Sequence, residues 1–264
     1  MSWVELPHAD IYYIEAGSGP PLLFLHGASS CAEAWWQQFE HFRDRFRCIA
    51  YDSVNHGHSS NSPRDEEEPD RADELEAFLQ ALGIDRPILA GNSMGANTLL
   101  RWAARHPDRA LALIPSGMGV PREGEEFRAL GREPLDLKTL FLPTGDALTE
   151  RLKRERPRMY ERYLRIRSTA TRIEALRHPR RPAQRTLDER ASLADRVGRI
   201  RSPMCIIVGS LDRLRPNCDR LHALVPGSEY HVIQGAPHNV YYEAAEEYNA
   251  IVDAFLARHV LARV

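Results

Sequence analysis

Short apolar runs alternate along this chain with longer segments in which apolar and polar positions recur at helical spacing. The apolar runs are too short for helices, which is typical of strands buried in a parallel sheet. The alternation predicts an α/β fold, with a mainly parallel central sheet flanked by helices on both faces. The predicted strands lie near residues 11–16, 21–25, 46–51, 87–91, 110–115, 203–209 and 229–233, and the predicted helices near 33–43, 70–82, 94–105, 217–224 and 240–259.

The alternation stops between residues 119 and 199, where there is no strand-like run but there are several prolines and many arginines. We interpret residues 119–199 as a helical insertion that divides the sheet-forming core into residues 1–118 and 200–264. Residues 120–200 hold 20 Lys and Arg against 13 Asp and Glu, a net charge of +7. Such a charge would attract an anionic substrate. The alternative is that these arginines face solvent and pair with nearby glutamates on the same helix.

The predicted strand at 87–91 leads directly into Gly91-Asn92-Ser93-Met94-Gly95, and helix-forming residues follow at once. A Gly-x-Ser-x-Gly sequence between a strand and a helix is typical of a nucleophile elbow, which holds a serine in a strained, exposed turn. The glycines leave room that a β-carbon would fill. The start of the helix points its N–H groups and its positive dipole end at the serine. We therefore expect Ser93 to be a catalytic nucleophile.

A serine hydroxyl needs a general base, and that base needs a group to orient it. Asp212 follows the predicted strand at 203–209, and His238 lies in the loop after the predicted strand at 229–233. Serine, aspartate and histidine in this chain order are expected for this type of elbow. Two alternatives stay open: Asp212 caps the helix that begins near Pro216, and His238 is a polar residue at a helix N-terminus.

Two backbone N–H groups, those of Ala28 and Met94, are the predicted oxyanion hole. Ala28 follows the predicted strand at 21–25 and the pair His26-Gly27. His26 is interpreted mainly as a structural histidine that holds this loop by hydrogen bonds. For the aromatic candidates in the pocket, packing in the core is the alternative. The candidate substrate-binding residues are Trp35, Trp36, His26 and Tyr241.

These motifs make the chain similar, over most of its length, to the α/β-hydrolase fold superfamily. Residues 11–21 resemble the entry hairpin of that family, and residues 52–59 resemble its Asp-x-x-Gly-x-Gly-x-Ser turn. Asn55 stands at the first glycine of the turn, and asparagine enters the left-handed region more easily than other side chains. The Gly-Asn-Ser-Met-Gly elbow resembles those of carboxylesterases and of meta-cleavage product hydrolases, which cleave carbon–carbon bonds. The resemblance implies that residues 119–199 form a cap over the active site.

The expected function is therefore a serine hydrolase that cleaves a small or medium carboxylic ester, or a lactone, through an acyl-enzyme, with no cofactor and no metal. Hydrolysis of a carbon–carbon bond in a ring-fission-type diketone acid is the alternative. That alternative is weakened because Asn239 follows His238, where such hydrolases usually carry tryptophan. A third class comprises lyases, cofactor-free oxygenases and ligand-binding proteins built on the same fold.

Composition narrows the expected partners and compartment. The chain has 264 residues, 43% hydrophobic content and a net charge of −2, which fits one sizeable core and no nucleic-acid partner. No segment is long and apolar enough to span a bilayer, and the N-terminus lacks the features of a secretory signal. The four cysteines are scattered without metal or redox spacing. We expect a cytoplasmic monomer or homodimer. Its expected substrates are small molecules, and they include anionic ones.

Overall fold

The computed structural model describes residues 2–62, 67–121, 147–170 and 183–263. Eight strands in these residues form one sheet in the order β1-β2-β4-β3-β5-β6-β7-β8. They are β1 Ser2–Leu6, β2 Ala9–Ala16, β3 Pro21–Leu25, β4 Arg47–Tyr51, β5 Ile88–Asn92, β6 Ala112–Ser116, β7 Cys205–Gly209 and β8 Glu229–Ile233. All pairings among β3 to β8 are parallel, whereas β2 pairs antiparallel with both β1 and β4. The predicted α/β class with a mainly parallel sheet is confirmed.

The edge strand β1 is not predicted by the apolar pattern. It pairs with β2 from Ser2 opposite Tyr13 to Leu6 opposite Ala9. Its side chains alternate, so that Trp3 is 56% exposed while Leu6 is buried. Five alternating residues carry a weak apolar signal, so that pairing with β2 decides that this segment is a strand.

Helices cover both faces of the sheet. They are α1 Trp36–Phe42, α2 Arg71–Ala81, α3 Met94–Arg105, α4 Glu150–Glu155, α5 Pro157–Ala170, α6 Gln184–Ala191, α7 Leu193–Val197, α8 Arg215–Leu224, α9 Val240–Glu243 and α10 Ala245–His259. On one face, α1 and α10 contribute Phe42 and Phe255 to a buried cluster. On the other face, α2 and α3 contribute Phe78 and Leu99 to a second cluster. Burial on both faces explains why the central strands are apolar throughout.

Two predicted helices are interrupted. The predicted helix at 33–43 consists of a 3-10 turn, Ala32–Trp35, followed by α1. The predicted helix at 240–259 is divided into α9 and α10 at Ala244, whose backbone angles are φ −112° and ψ 44°. Both parts of each segment contribute buried residues. Apolar spacing alone therefore does not reveal the breaks.

The described part of the predicted insertion is helical and contains α4 to α7, between β6 and β7. Helices α4 and α5 join the cluster on the α1 face through Leu152 and Tyr163, and α7 joins the opposite cluster through Leu193. The rest of the insertion, at 122–146 and 171–182, lies outside the described residues. Its role as a separate cap stays a prediction. In the part of the chain that the structure describes, no helix has the length and apolar character needed to cross a membrane.

Candidate active site

Ser93 lies in the turn between β5, which ends at Asn92, and α3, which begins at Met94. Its backbone angles are φ 53° and ψ −110°, a conformation that is strained for a residue with a side chain. Hydrogen bonds on both sides hold it there: the Ser93 N–H donates to the Ser116 carbonyl at 2.9 Å, and the Asn97 N–H donates to the Ser93 carbonyl at 2.9 Å. The strained backbone at Ser93, held by these two hydrogen bonds, has the form of the predicted elbow.

The turn lies tightly against the end of β3. A β-carbon added to Gly95 would lie 2.1 Å from the carbonyl oxygen of Leu25, so that only glycine allows α3 to start so close to this strand. A β-carbon added to Gly27 would lie 3.4 Å from the β-carbon of Ser93. The loop that follows β3 is therefore a direct neighbour of Ser93, and the next residue of this loop is Ala28.

The backbone N–H groups of Ala28 and Met94 both belong to segments that border Ser93. Met94 is the first residue of α3, so that its N–H is one of those that have no acceptor within the helix. Ser29 turns the loop sharply after Ala28, with φ 57°. The two segments that carry the predicted oxyanion hole are thus neighbours, on either side of the serine.

Asp212, which is buried, and His238, which is half-buried, form a pair at the ends of β7 and β8. Nδ1 of His238 donates a hydrogen bond to Oδ2 of Asp212 at 2.9 Å. The other carboxylate oxygen, Oδ1, accepts the Leu214 N–H at 2.9 Å, just before α8 begins at Arg215. The N-cap of α8 is Leu214 and no side chain caps this helix, so the alternative role of Asp212 as a helix cap is not found. Because Nδ1 carries the donated proton, Nε2 of the neutral ring is an acceptor.

Gly117, directly after β6, lies between the two halves of the site. A β-carbon at this residue, whose φ is 60°, would lie 3.0 Å from Oδ1 of Asn92 and 3.0 Å from Cε1 of His238. The loops after β5, β6, β7 and β8 thus bring Ser93, Asp212 and His238 to the same edge of the sheet, where parallel α/β sheets bind ligands. Gly117 is not among the residues predicted from the sequence, although a glycine at the end of a predicted strand is a usable signal.

Two aromatic candidates for the pocket are buried in the core. Trp35 is 0% exposed, and its ring stacks on that of Tyr241 with centroids 4.0 Å apart and on that of Phe24 at 5.1 Å. The carbonyl of Tyr241 accepts a hydrogen bond from Nε2 of Gln38 at 2.9 Å. These are packing contacts between the 3-10 turn, β3 and α9. A contact of either ring with a substrate stays a prediction.

The other two candidates differ from each other. Both ring nitrogens of His26 bind the backbone: Nδ1 donates to the Gly27 carbonyl at 2.8 Å, and Nε2 accepts the Ser53 N–H at 3.0 Å. These bonds tie the loop after β3 to the loop after β4, which is a structural arrangement. Trp36 is half-buried, and the guanidinium of Arg162 from α5 lies 3.9 Å from its ring centroid. A substrate contact of His26 or Trp36 is likewise a prediction.

One group of potential metal ligands occurs in the described residues. The ligand atoms of Cys205, Glu229 and His231 lie within 4.8 Å of one another. Cys205 and Glu229 are the first residues of β7 and β8, so the group is at the sheet edge opposite to Asp212 and His238. The guanidinium of Arg258 already bonds both oxygens of Glu229, at 2.7 and 2.9 Å. Since this carboxylate is paired with a cation, we assign no metal to the group.

Residues 20–245 match the family model of the alpha/beta hydrolase fold. The chain belongs to this family. Its curated relatives include 2-(acetamidomethylene)succinate hydrolase of Mesorhizobium japonicum, which is 28% identical over 260 residues and is aligned over 89% of this chain and 90% of the relative. They also include 2-hydroxy-6-oxo-6-phenylhexa-2,4-dienoate hydrolase of Comamonas testosteroni, which is 29% identical over 269 residues, with 93% of this chain and 91% of the relative aligned.

Solved structures of this alpha/beta hydrolase fold superpose on nearly the whole chain. A thermophilic esterase from Thermogutta terrifontis matches with a TM-score of 0.75 and 21% identity, over 98% of this chain and 100% of the esterase. At this identity the likeness establishes the fold alone. The resemblance that the motifs predict is confirmed at the level of the family.

Proposed function

We propose that this alpha/beta hydrolase is a serine hydrolase that cleaves a small or medium carboxylic ester, or a lactone, through an acyl-enzyme. The observation that carries the proposal is the 2.9 Å bond between His238 and Asp212 at the sheet edge where Ser93 occupies a strained turn. Asp212 keeps the proton of the imidazole on Nδ1. Nε2 is then the atom that takes the proton from the Ser93 hydroxyl.

In this mechanism Ser93 attacks the substrate carbonyl while His238 removes its proton. The N–H groups of Ala28 and Met94 donate to the oxyanion of the tetrahedral intermediate, and loss of one such donor typically raises the barrier by about 3 kcal/mol. His238 then protonates the leaving group. A water molecule, deprotonated by the same histidine, hydrolyses the acyl-enzyme and restores Ser93.

Residues 119–199 are proposed to form the cap that decides which acyl group enters. Support comes from α5, whose Met159 carbonyl accepts a hydrogen bond from Oη of Tyr242 at 2.9 Å, four residues after His238. The net charge of +7 in this part of the sequence favours anionic substrates. The cytoplasmic location, and the monomeric or homodimeric state, are further parts of the proposal.

A second candidate is hydrolysis of a carbon–carbon bond in a diketone acid. The Gly-Asn-Ser-Met-Gly sequence and the relative from Comamonas testosteroni favour it, because that protein is named as a dienoate hydrolase. The residue after His238 disfavours it, since Asn239 is buried and its amide is bonded to Tyr163 at 2.6 Å. A coloured dienolate substrate distinguishes the two candidates, because its colour is lost on cleavage without any ester being present.

The deciding experiment is intact-mass spectrometry after exposure to a fluorophosphonate probe. We expect one adduct on the wild type and on a control variant, Ser30→Ala, and none on Ser93→Ala. Ser93→Ala should also lower turnover of p-nitrophenyl butyrate by roughly 10⁴- to 10⁶-fold. Circular dichroism of Ser93→Ala verifies that it is folded. An adduct on folded Ser93→Ala, or ester turnover at the wild-type rate, would contradict the proposal.

A further inference from the structure

Three buried side chains connect α5 to the residue that precedes Ser93. They are Tyr163 on α5, Asn239 directly after His238, and Asn92 at the end of β5, with exposures of 2%, 8% and 1%. The side-chain nitrogen of Asn239 lies 2.6 Å from Oη of Tyr163, and Oδ1 of Asn239 lies 3.0 Å from the side-chain nitrogen of Asn92. Each asparagine is thus the immediate chain neighbour of a proposed catalytic residue.

The surroundings of Asn92 decide which groups donate and which accept along this series of hydrogen bonds. With the amide of Asn92 turned by 180°, its nitrogen donates to the carbonyl of His238 at 3.3 Å and to the carbonyl of Ser116 at 3.3 Å. Without the turn, an amide oxygen faces these two carbonyl oxygens, which is unfavourable in a buried site. Turning Asn92 brings its amide oxygen to 3.0 Å from Oδ1 of Asn239, and two oxygens cannot share a hydrogen bond. The arrangement therefore requires the amide of Asn239 to be turned as well, so that its nitrogen donates to Asn92 and its oxygen accepts from the hydroxyl of Tyr163.

The bonds therefore run from the Tyr163 hydroxyl through both asparagines to the backbone of His238 and Ser116. The Ser116 carbonyl also accepts the N–H of Ser93 at 2.9 Å. The backbones of Ser93 and His238, between which the proton is proposed to move, are therefore both linked to this series of hydrogen bonds. Buried hydrogen bonds in series strengthen each other and hold a single geometry.

Other contacts attach the segment after His238 to α4 and α5 without continuing to Asn92. The Asn239 N–H donates to the Ala147 carbonyl at 3.2 Å, and the Thr149 N–H donates to Oε2 of Glu243 at 2.8 Å. The hydroxyl of Tyr242 donates to the Met159 carbonyl at 2.9 Å. Tyr242 is thus a second buried tyrosine at the same junction, and it offers a matched control.

We propose that Tyr163 is a positioning residue that aligns His238 with Ser93 through Asn239 and Asn92, so that catalysis requires α5 to be seated on the loop after β8. The inference rests on the proposed serine hydrolase function. Its physical reason is that a catalytic base displaced by about 1 Å can lose on the order of 100-fold in rate. The deletion of one hydroxyl at the far end of the chain should loosen this alignment only in part.

The test compares Tyr163→Phe with Tyr242→Phe in the full-length protein. Each variant loses one buried tyrosine hydroxyl, so both should lower the melting temperature by a similar amount. Tyr163→Phe should lower kcat for p-nitrophenyl acetate roughly tenfold, with KM within about twofold of the wild type and a shifted pH profile of kcat/KM. Tyr242→Phe should keep kcat within about twofold and keep the wild-type pH profile.

The outcomes separate the two proposals. If the wild type carries a fluorophosphonate adduct on Ser93 but the two variants share one kcat and one pH profile, the positioning role is wrong and the hydrolase function stands. If the wild type carries no adduct and turns over no ester, the hydrolase function is wrong, and the positioning role falls with it. Asn239→Ser interrupts the chain at its middle, and it must reproduce the loss in kcat even if Tyr163→Phe fails to fold.

Discussion

The helices between β6 and β7 are attached to the sheet-forming core by two different kinds of interaction. On the side of the active site, a contact between two neutral side chains joins α5 to the loop after β8, with Tyr163 bonded to Asn239 at 2.6 Å. On the other side, α6 reaches α3 through charged groups, since the Glu189 carboxylate bonds Arg101 at 3.0 Å and Arg105 at 2.6 Å. A neutral hydrogen bond fixes the orientation of the two groups that it joins, whereas the strength of an ionic network depends on the charge of every member.

The charged attachment includes a buried arginine, and it extends to the start of α2. Arg101 is 1% exposed and contacts Asp70 as well as Glu189. Oδ1 of Asp70 accepts the N–H groups of Ala72 and Asp73, at 3.0 and 3.1 Å, and so caps the start of α2. Because buried charges are stable only while they are paired, we expect this junction to govern stability. The neutral contact between Tyr163 and Asn239, beside His238, should govern activity.

The largest expected effect on this contrast comes from Arg101→Leu. It leaves Asp70 and Glu189 with Arg105 as their shared partner, so we expect the free energy of unfolding to fall by about 3 kcal/mol, at the low end for a broken buried pair. Urea unfolding measures the change. Arg109→Leu is the matched control: it breaks a more exposed bond to Glu76 at 2.7 Å and should cost about 1 kcal/mol or less. Equal losses in the two variants would contradict a special role for the buried network.

A smaller effect on the free energy of unfolding should appear at low pH, where the carboxylates of Asp70 and Glu189 become protonated. Burial alone would raise the pKa of Asp70, but the charges of Arg101 and Arg105 and the Thr186 hydrogen bond hold this pKa below its usual value. Burial likewise opposes ionisation of Glu189, and Arg105 and Arg101 hold its pKa below the usual value. A carboxylate with a lowered folded pKa stabilises the fold above its unfolded pKa of about 4, and this stabilisation is lost as the pH falls further.

Asp70→Asn tests this pH dependence, because asparagine still caps a helix but carries no charge. The wild type should be more stable than Asp70→Asn near neutral pH, and the difference in free energy of unfolding should shrink below pH of about 4. The difference between wild type and Tyr163→Phe should stay constant over the same range, since the hydroxyl that is removed is bonded to the uncharged amide of Asn239. A constant difference for Asp70→Asn would show that its charge does not support the junction.

The smallest expected effect belongs to the exposed rim of the same network. Arg185 on α6 lies 3.0 Å from Oδ2 of Asp73, and the two side chains are 57% and 50% exposed. Solvent and salt screen such a pair, so Arg185→Ala should change the free energy of unfolding by about 0.5 kcal/mol or less. Thermal unfolding at low and high salt measures it. A loss as large as that of Arg101→Leu would mean that the rim is part of the buried network.

The sequence by itself determined the features that depend on neighbouring residues. The run of apolar residues at 88–90 followed by Gly91-Asn92-Ser93-Met94-Gly95 predicts both a strand and the turn after it, because period and glycine placement are local properties. The predicted helix at 94–105 begins and ends as expected. The left-handed conformation expected for Asn55 is confirmed by its φ of 68°. Strands and helices alternate along the chain, and this alternation predicts both the parallel pairing of the strands and their burial on both faces.

The tertiary structure alone decided which distant polar groups meet. Asn92 and Asn239 are 147 residues apart in the chain, and Tyr163 and Asn239 are 76 apart, so no local pattern marks them as partners. The same holds for the contacts of α6 with α2 and α3, and for the stacking of Trp35 on Tyr241. Spacing along the chain records which face of an element is buried. The partner across that face is fixed only when the sheet order and the interrupted helices bring separate segments together.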